Sequence, residues 1–190
     1  MNDFLEKINN LFNDPELRAK LVTYRWPLAI AAAIIFILMM EPQYFLIGLL
    51  ISLVGEGLQV WCFATLNKKK DLAAKGPYAV IRNPMYIGRY LLILGAVAIT
   101  GSLFLMVVYT IIYYFYMTNR VGREEEVLKD IFGDAYLEYC NNVNRFIPEF
   151  KRLDKDEILC FNRDLFFSNN AHWNILSVIV GYWIAYIWIF

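Results

Sequence analysis

Pro77-Tyr78-Ala79-Val80-Ile81-Arg82-Asn83-Pro84-Met85-Tyr86-Ile87-Gly88 links one long apolar stretch to the next. Gly76-Pro77-Tyr78 is turn chemistry. Asn83-Pro84 reads as an N-cap followed by proline at the first helical position. Taken alone, this is how any membrane helix starts. Arg82 adds something, because it stands beside a helix N-terminus. Free N–H groups and the positive dipole end attract a carboxylate there, and a guanidinium can fork onto it.

A second polar segment follows the next apolar region: Arg123-Glu124-Glu125, then Phe132-Gly133, Tyr136, Tyr139 and Arg145-Phe146-Ile147-Pro148. Glu124-Glu125-Glu126 can be a solvated charge run, and Glu125 has a local partner in Lys129 at the favourable i to i+4 spacing. It can equally supply carboxylates to a site. Good helix formers run unbroken from Leu103 to about Ile131, roughly 43 Å at 1.5 Å per residue. The hydrocarbon core is only about 30 Å thick. That helix is therefore predicted to project beyond the bilayer, carrying Arg120, Arg123, Glu124 and Glu125. Gly133 is placed to stop it. A short helix over Asp134–Asn142 would set Tyr136 and Tyr139 close to one face.

Five apolar stretches emerge: Trp26–Met40, Gln43–Leu66, Met85–Thr100, Leu103–Met117 and Trp173–Phe190. The fold class is all-α, a polytopic membrane bundle of about five spans with loops and short helices forming a site at one face. Three zones follow: an interfacial segment 1–25, a core 26–148, and a polar linker with an additional span, 149–190. Within the first zone, Phe4, Leu5, Ile8, Leu11 and Phe12 recur at helical spacing over Asn2–Asn13. That fits an amphipathic helix on the membrane or an ordinary packed first helix.

Lys and Arg set the orientation. Arg18, Lys20 and Arg25 precede the first stretch; Lys68, Lys69, Lys70, Lys75 and Arg82 lie between the second and third. Arg120, Arg123, Lys129, Arg145, Lys151, Arg152, Lys155 and Arg163 lie between the fourth and fifth. The connections at Glu41-Pro42 and Gly101-Ser102 carry no Lys or Arg. The positive-inside rule puts the N-terminus and both polar segments in the cytoplasm.

The 190 residues are 59% hydrophobic, with a mean hydropathy of +0.42, more apolar than a soluble domain of this size needs. A net charge of zero gives no reason to expect a nucleic-acid partner. Cys62, Cys140 and Cys160 have no metal-ligand spacing, and the lone His172 argues against a zinc site or a Ser-His-Asp triad. No metal is expected. His172, beside Trp173 at a membrane boundary, reads as an interfacial residue.

Glu56 is different. It falls near the middle of the second stretch, between Gly55 and Gly57, with Gln59 nearby. An ionisable group at that depth is costly and faces the bundle interior. It is expected to line a cavity or to pair with Arg89. The bland alternative is a protonated carboxyl bonded to a neighbouring helix. The two glycines could instead allow close helix approach.

The two polar segments, in this order and at the mouths of adjacent spans, resemble the isoprenylcysteine carboxyl methyltransferase and phospholipid methyltransferase superfamily of integral membrane enzymes. That family's pattern is Gly-x-Tyr, then Arg-His-Pro-x-Tyr-x-Gly, then Glu-Glu-x-x-Leu-x-x-x-Phe-Gly-x-x-Tyr-x-x-Tyr, then an Arg near a Pro. Here Gly76-Pro77-Tyr78, Arg82-Asn83-Pro84-Met85-Tyr86-Ile87-Gly88, Glu124-Glu125 through Phe132-Gly133 to Tyr136 and Tyr139, and Arg145 with Pro148 match it. Asn83 replaces the usual His, so that position cannot titrate. Residues 149–190 extend beyond the family's usual ending.

The resemblance implies S-adenosylmethionine as methyl donor and a hydrophobic small-molecule or lipid acceptor entering from the bilayer. It implies cofactor contacts from Tyr78, Arg82, Asn83, Pro84, Tyr86, Glu124, Glu125, Tyr136, Tyr139 and Arg145. In that frame Arg82 or Arg145 would hold the cofactor's carboxylate, and Glu124 or Glu125 its ammonium. The tyrosines would pack on the adenosine. Arg82, Glu125 and Glu56 are the candidate catalytic residues; Glu125 or Glu56 could take a proton from an amine acceptor. Two alternatives are an NADPH-dependent membrane reductase of the sterol reductase type and a non-catalytic membrane scaffold. No basic cluster in residues 76–148 is obviously dedicated to a 2′-phosphate.

Overall fold

The computed structural model describes residue 7 and residues 14–67, 72, 74–148 and 160–190. Apart from Lys7, the expected amphipathic helix at Asn2–Asn13 lies outside the described residues, as do Lys68, Lys69, Lys70 and residues 149–159. The described residues form eight α-helices and two 3-10 turns, with no strand among them. The helices are α1 (Pro15–Thr23), α2 (Arg25–Leu38), α3 (Phe45–Thr65), α4 (Pro84–Ala98), α5 (Leu103–Phe132), α6 (Asp134–Asn142), α7 (Arg163–Ser168) and α8 (Ala171–Ile189).

The helix starts follow local chemistry. Asp14 caps α1, its carboxylate accepting from the N–H groups of Glu16 (2.8 Å) and Leu17 (3.3 Å). Helices α1 and α2 meet at a 66° bend, so the helical run begins well before the expected Trp26. Ser102 caps α5 through the Leu105 N–H at 3.3 Å. That helix runs unbroken to Phe132 and ends at Gly133, whose φ of +54° suits a residue without a Cβ. Its end and the following α6 lie where the sequence predicts them.

Among the described residues, two helices are long and apolar enough to cross a membrane: the run Pro42–Thr65, which includes α3, and α8; the bent pair α1 and α2 makes a third if it counts as one span. The five-span expectation outruns this. α4 is apolar but only 15 residues long, about 22 Å at 1.5 Å per residue. In α5, Tyr109, Tyr113, Tyr114 and Tyr116 dilute the apolar half.

α3 and α4 form the centre, and their backbones touch. A Cβ on Gly48 would lie 2.5 Å from the Gly95 carbonyl oxygen, and one on Gly55 would lie 2.6 Å from the Gly88 carbonyl oxygen. Such contact needs glycine on both sides. Gly57 meets nothing within 4 Å and plays no part in it. Ser52 adds a bond from its hydroxyl to the Leu92 carbonyl (2.7 Å). On the other side, Tyr182 of α8 donates to Ser52 Oγ (2.6 Å) and stands 3.0 Å from the Gly48 carbonyl oxygen. Tyrosines join α5 to α4: Tyr113 donates to the Tyr86 carbonyl at 2.7 Å, and the Tyr90 and Tyr109 rings stack at 5.7 Å. Leu46, Leu50, Leu53, Val54, Trp183 and Trp188 are all more than half exposed, which suits helices solvated by lipid tails.

Candidate functional site

The first polar segment folds as a 3-10 turn at Gly76–Ala79 leading into α4. Pro77 and Pro84 are fully buried, so the turn is fixed at both ends. Its backbone is tied to the segment after α6, because the Arg82 N–H donates to the Asn144 carbonyl at 2.9 Å. Tyr139 completes the tie by donating its hydroxyl to the Tyr78 carbonyl at 2.7 Å. Both polar segments therefore close on one another at one end of the bundle.

Between them lies a cavity of about 540 Å³. Its polar lining includes Tyr78, Arg82, Asn83, Tyr86, Glu124, Tyr136 and Tyr139, and its apolar wall includes Leu66, Met85, Leu128 and Phe132. Seven of the ten expected cofactor residues thus share one cavity. Pro84 shapes the entry to α4 without lining it. Glu125 and Arg145 are also outside the lining.

Those two residues form an ion cluster with Arg82 and Asn83. The buried Glu125 carboxylate accepts from Asn83 Nδ2 (3.1 Å) and Arg145 Nε (3.2 Å) on one oxygen, and from Arg145 Nη2 on the other. Arg82 Nε stands 3.7 Å from the first oxygen, an ion pair without a hydrogen bond. That nitrogen is buried and has no hydrogen-bond partner. Asn83 departs from its expected capping role. Its side chain makes no cap bond and turns to Glu125. Pro84 has no N–H, which lowers the demand for a cap.

Arg120 was not among the residues expected here, yet it lines the cavity. Its Nε donates to Glu124 at 2.9 Å, and it also bonds the Tyr86 hydroxyl. These bonds raise the Arg120 pKa above its ordinary value. The i to i+4 spacing of Arg120 and Glu124 was the available signal. Burial raises the phenol pKa values of Tyr78, Tyr136 and Tyr139 above the usual tyrosine range, so all three are hydrogen-bond donors at neutral pH.

Glu56 is buried within α3 and outside the cavity lining. Its expected partner Arg89 is not its partner. Asn174 of α8 donates to both carboxylate oxygens, at 3.0 and 2.7 Å. The pairing crosses 118 residues, and a helix outside the resembling region supplies it. Among the described residues, no group of three or more His, Cys, Asp or Glu side chains could hold a metal ion.

The model of the phospholipid methyltransferase family matches residues 44–135, which include the whole first polar segment and the start of the second. The chain is 30% identical over 82 residues to a protein-S-isoprenylcysteine O-methyltransferase of Schizosaccharomyces pombe, covering 43% of this chain and 35% of that relative. It is 30% identical over 117 residues to the protein of the same name from Xenopus laevis, covering 55% and 41%. It is 29% identical over 111 residues to the cobalt-zinc-cadmium resistance protein CzcN of Cupriavidus metallidurans, covering 57% and 50%. The chain thus spans between about a third and a half of the length of these curated relatives. No solved structure matches it. Both polar segments thus close one cavity, and along residues 44–135 the chain is similar to the phospholipid methyltransferase family and to relatives named protein-S-isoprenylcysteine O-methyltransferase.

Proposed function

We propose that the protein is an integral membrane methyltransferase that takes its methyl group from S-adenosylmethionine. The acceptor is a lipid or other small hydrophobic molecule: an isoprenylcysteine-like carboxylate, a phospholipid amine or a thiol. In this reading the chain crosses the membrane five times, with its N-terminus and the cavity on the cytoplasmic side.

The observation that carries the proposal is the cavity itself, where the turn before α4 faces the end of α5 and the two tyrosines of α6. Its volume of about 540 Å³ falls in the range of small-molecule and cofactor sites. The donor set also suits a zwitterion. Arg82 lines the cavity and supplies a cation for a carboxylate, its buried Nε facing Glu125. Glu124 supplies an anion for an ammonium. Tyr136, Tyr139 and the apolar wall from Leu128 to Phe132 offer surface for an aromatic base.

S-adenosylmethionine, when bound, supplies an electrophilic methyl on a sulfonium. The chain's own residues hold, align and dry the site. Arg82 and Glu124 fix the two charged ends, so the reacting centre is oriented. The buried phenols and leucines keep water out. Glu125 serves as a positioning residue, because its carboxylate aligns Arg82, Asn83 and Arg145. Glu56 serves to fasten α8 to α3. The charge-fixing residues act by position, so no titrating residue is required at Asn83.

Isothermal calorimetry with the detergent-purified chain tests the reading. S-adenosylmethionine and S-adenosylhomocysteine are expected to bind one per chain, and Arg82→Ala to weaken both. Incubating labelled S-adenosylmethionine with total membrane lipid then names the acceptor. Absence of binding by either nucleoside ends the proposal.

A further inference from the structure

Arg89 stands in α4, the fifth residue after Pro84, or about 8 Å along the helix from its start. Glu56, the acid within reach by sequence, is held by Asn174. Among the described residues no carboxylate comes within ion-pair distance of Arg89. Its neighbours are aromatic. The guanidinium carbon lies 5.8 Å from the centroid of the Tyr86 ring, and its charge acts on Tyr109 and Tyr113 of α5.

Side chains on a helix lean toward its N-terminus. Tyr86, three residues earlier, is therefore where the Arg89 side chain comes to rest, and it puts the charge level with the first turn of α4. That is the end of the helix that carries the cavity, and Tyr86 lines the cavity as well. Glu124, near the Tyr86 hydroxyl, balances the charge of Arg120. The cluster around the Tyr86 ring is thus left with one net positive charge, partly exposed, at the edge of an apolar helix. A cation there is costly unless an anion meets it. A guanidinium's fork matches two phosphate oxygens, and phosphate is the anion at that depth in a phospholipid leaflet.

We propose that Arg89, seated on the Tyr86 ring, binds the phosphate of a phospholipid whose headgroup lies at the mouth of the cavity. The lipid is either the methyl acceptor or a resident neighbour that is not turned over. The site needs α4 to enter the bilayer at its N-terminal end, as in the five-span reading. It does not need a methyl donor.

Native mass spectrometry of the full chain in maltoside detergent tests it, with phosphatidylglycerol as probe and diacylglycerol as the phosphate-free control. Arg89→Gln and Arg89→Met are expected to weaken phosphatidylglycerol binding about tenfold, as for loss of a charge-assisted fork. Arg89→Met keeps an apolar stem suited to the helix and serves if the Gln variant aggregates. Diacylglycerol binding is expected to stay the same. Equal phosphatidylglycerol affinity in the wild type and the variants overturns the proposal. Turnover of phosphatidylethanolamine in mixed micelles then separates the sources. A raised KM at constant kcat in the Arg89 variants means the phosphate belongs to the acceptor. An unchanged KM with weaker phosphatidylglycerol binding means a resident lipid. Failure to bind S-adenosylmethionine would undo the methyltransferase reading and leave the lipid-binding result standing.

Discussion

Glu125 is the hub of a cluster of four side chains, with Arg82, Asn83 and Arg145 around it, and the consequences of removing them differ. Its carboxylate is only 11% exposed, whereas Arg145 is 44% exposed. Glu125→Ala leaves the buried Arg82 without its counter-charge, at a cost on the order of 3 kcal/mol. Arg145→Ala removes a partner that water can replace, at a cost of about 1 kcal/mol or less. The melting temperature in detergent is therefore expected to fall much further for the first than for the second. Similar losses would mean that Glu125 is not the hub. The sequence put these residues on one side of the membrane because their loops carry the charge. It could not pair Glu125 with Arg145, because Lys129 was an equally good local partner by spacing. The phenols add a pH dependence. Burial raises the pKa values of Tyr78, Tyr136 and Tyr139 in the folded chain, while the unfolded chain titrates near about 10. Below that pH both forms keep the protons and stability is unaffected by these groups. Above it the unfolded chain loses protons that the folded chain retains, so rising pH favours unfolding. Thermal melts are expected to show tyrosine-linked loss of stability only above about pH 10.

The helices α3 and α4 depend on contact between their backbones, and two glycines on one helix distinguish this from mere glycine content. Gly55→Ala drives a Cβ into the Gly88 carbonyl and the Leu91 side chain, whereas Gly57→Ala enters open space. The first is expected to destabilise the fold severely. The second should be neutral, or stabilising by up to about 1 kcal/mol through helix propensity. Comparable melting temperatures for the two variants would contradict this packing. Both glycines flank Glu56 in the sequence, and only the direction each faces separates them. A local pattern does not supply that direction when the helix is apolar all round. The same limit hid the partner of Glu56. Asn174→Leu leaves that carboxyl without its two bonds, and polar bonds between membrane helices contribute about 0.6 to 1.7 kcal/mol. Faster proteolysis between α6 and α8 is the expected sign that α8 has loosened. The short helix α7 was also unexpected. It is held where the Asn169 side chain donates to the carbonyls of Phe63 (2.9 Å) and Leu66 (2.7 Å), closing the end of α3. An asparagine in a polar linker gives no sign of a partner more than 100 residues away.

Across the molecule, the proposed function requires that one membrane face carries the whole site. The lysines and arginines speak to orientation, while length and hydropathy alone pick out two or three of the five expected spans. The missing ones, α4 and α5, are those joined by the tyrosine cluster and those that carry the site, so their polar content follows from their position. The native cysteines provide the test. Cys62 is buried in α3, whereas Cys140 on α6 and Cys160 before α7 are partly accessible. Both accessible thiols lie between α5 and α8, so in a five-span protein with a cytoplasmic N-terminus they share the cytoplasmic side. Single-cysteine variants retaining Cys140 or Cys160 are expected to react with a membrane-impermeant maleimide in inverted vesicles. In right-side-out vesicles neither should react until the membrane is permeabilised. Labelling of Cys140 and Cys160 from opposite sides would place a crossing between them. Labelling of both from outside would turn the cavity away from the cytoplasm and from its supply of S-adenosylmethionine.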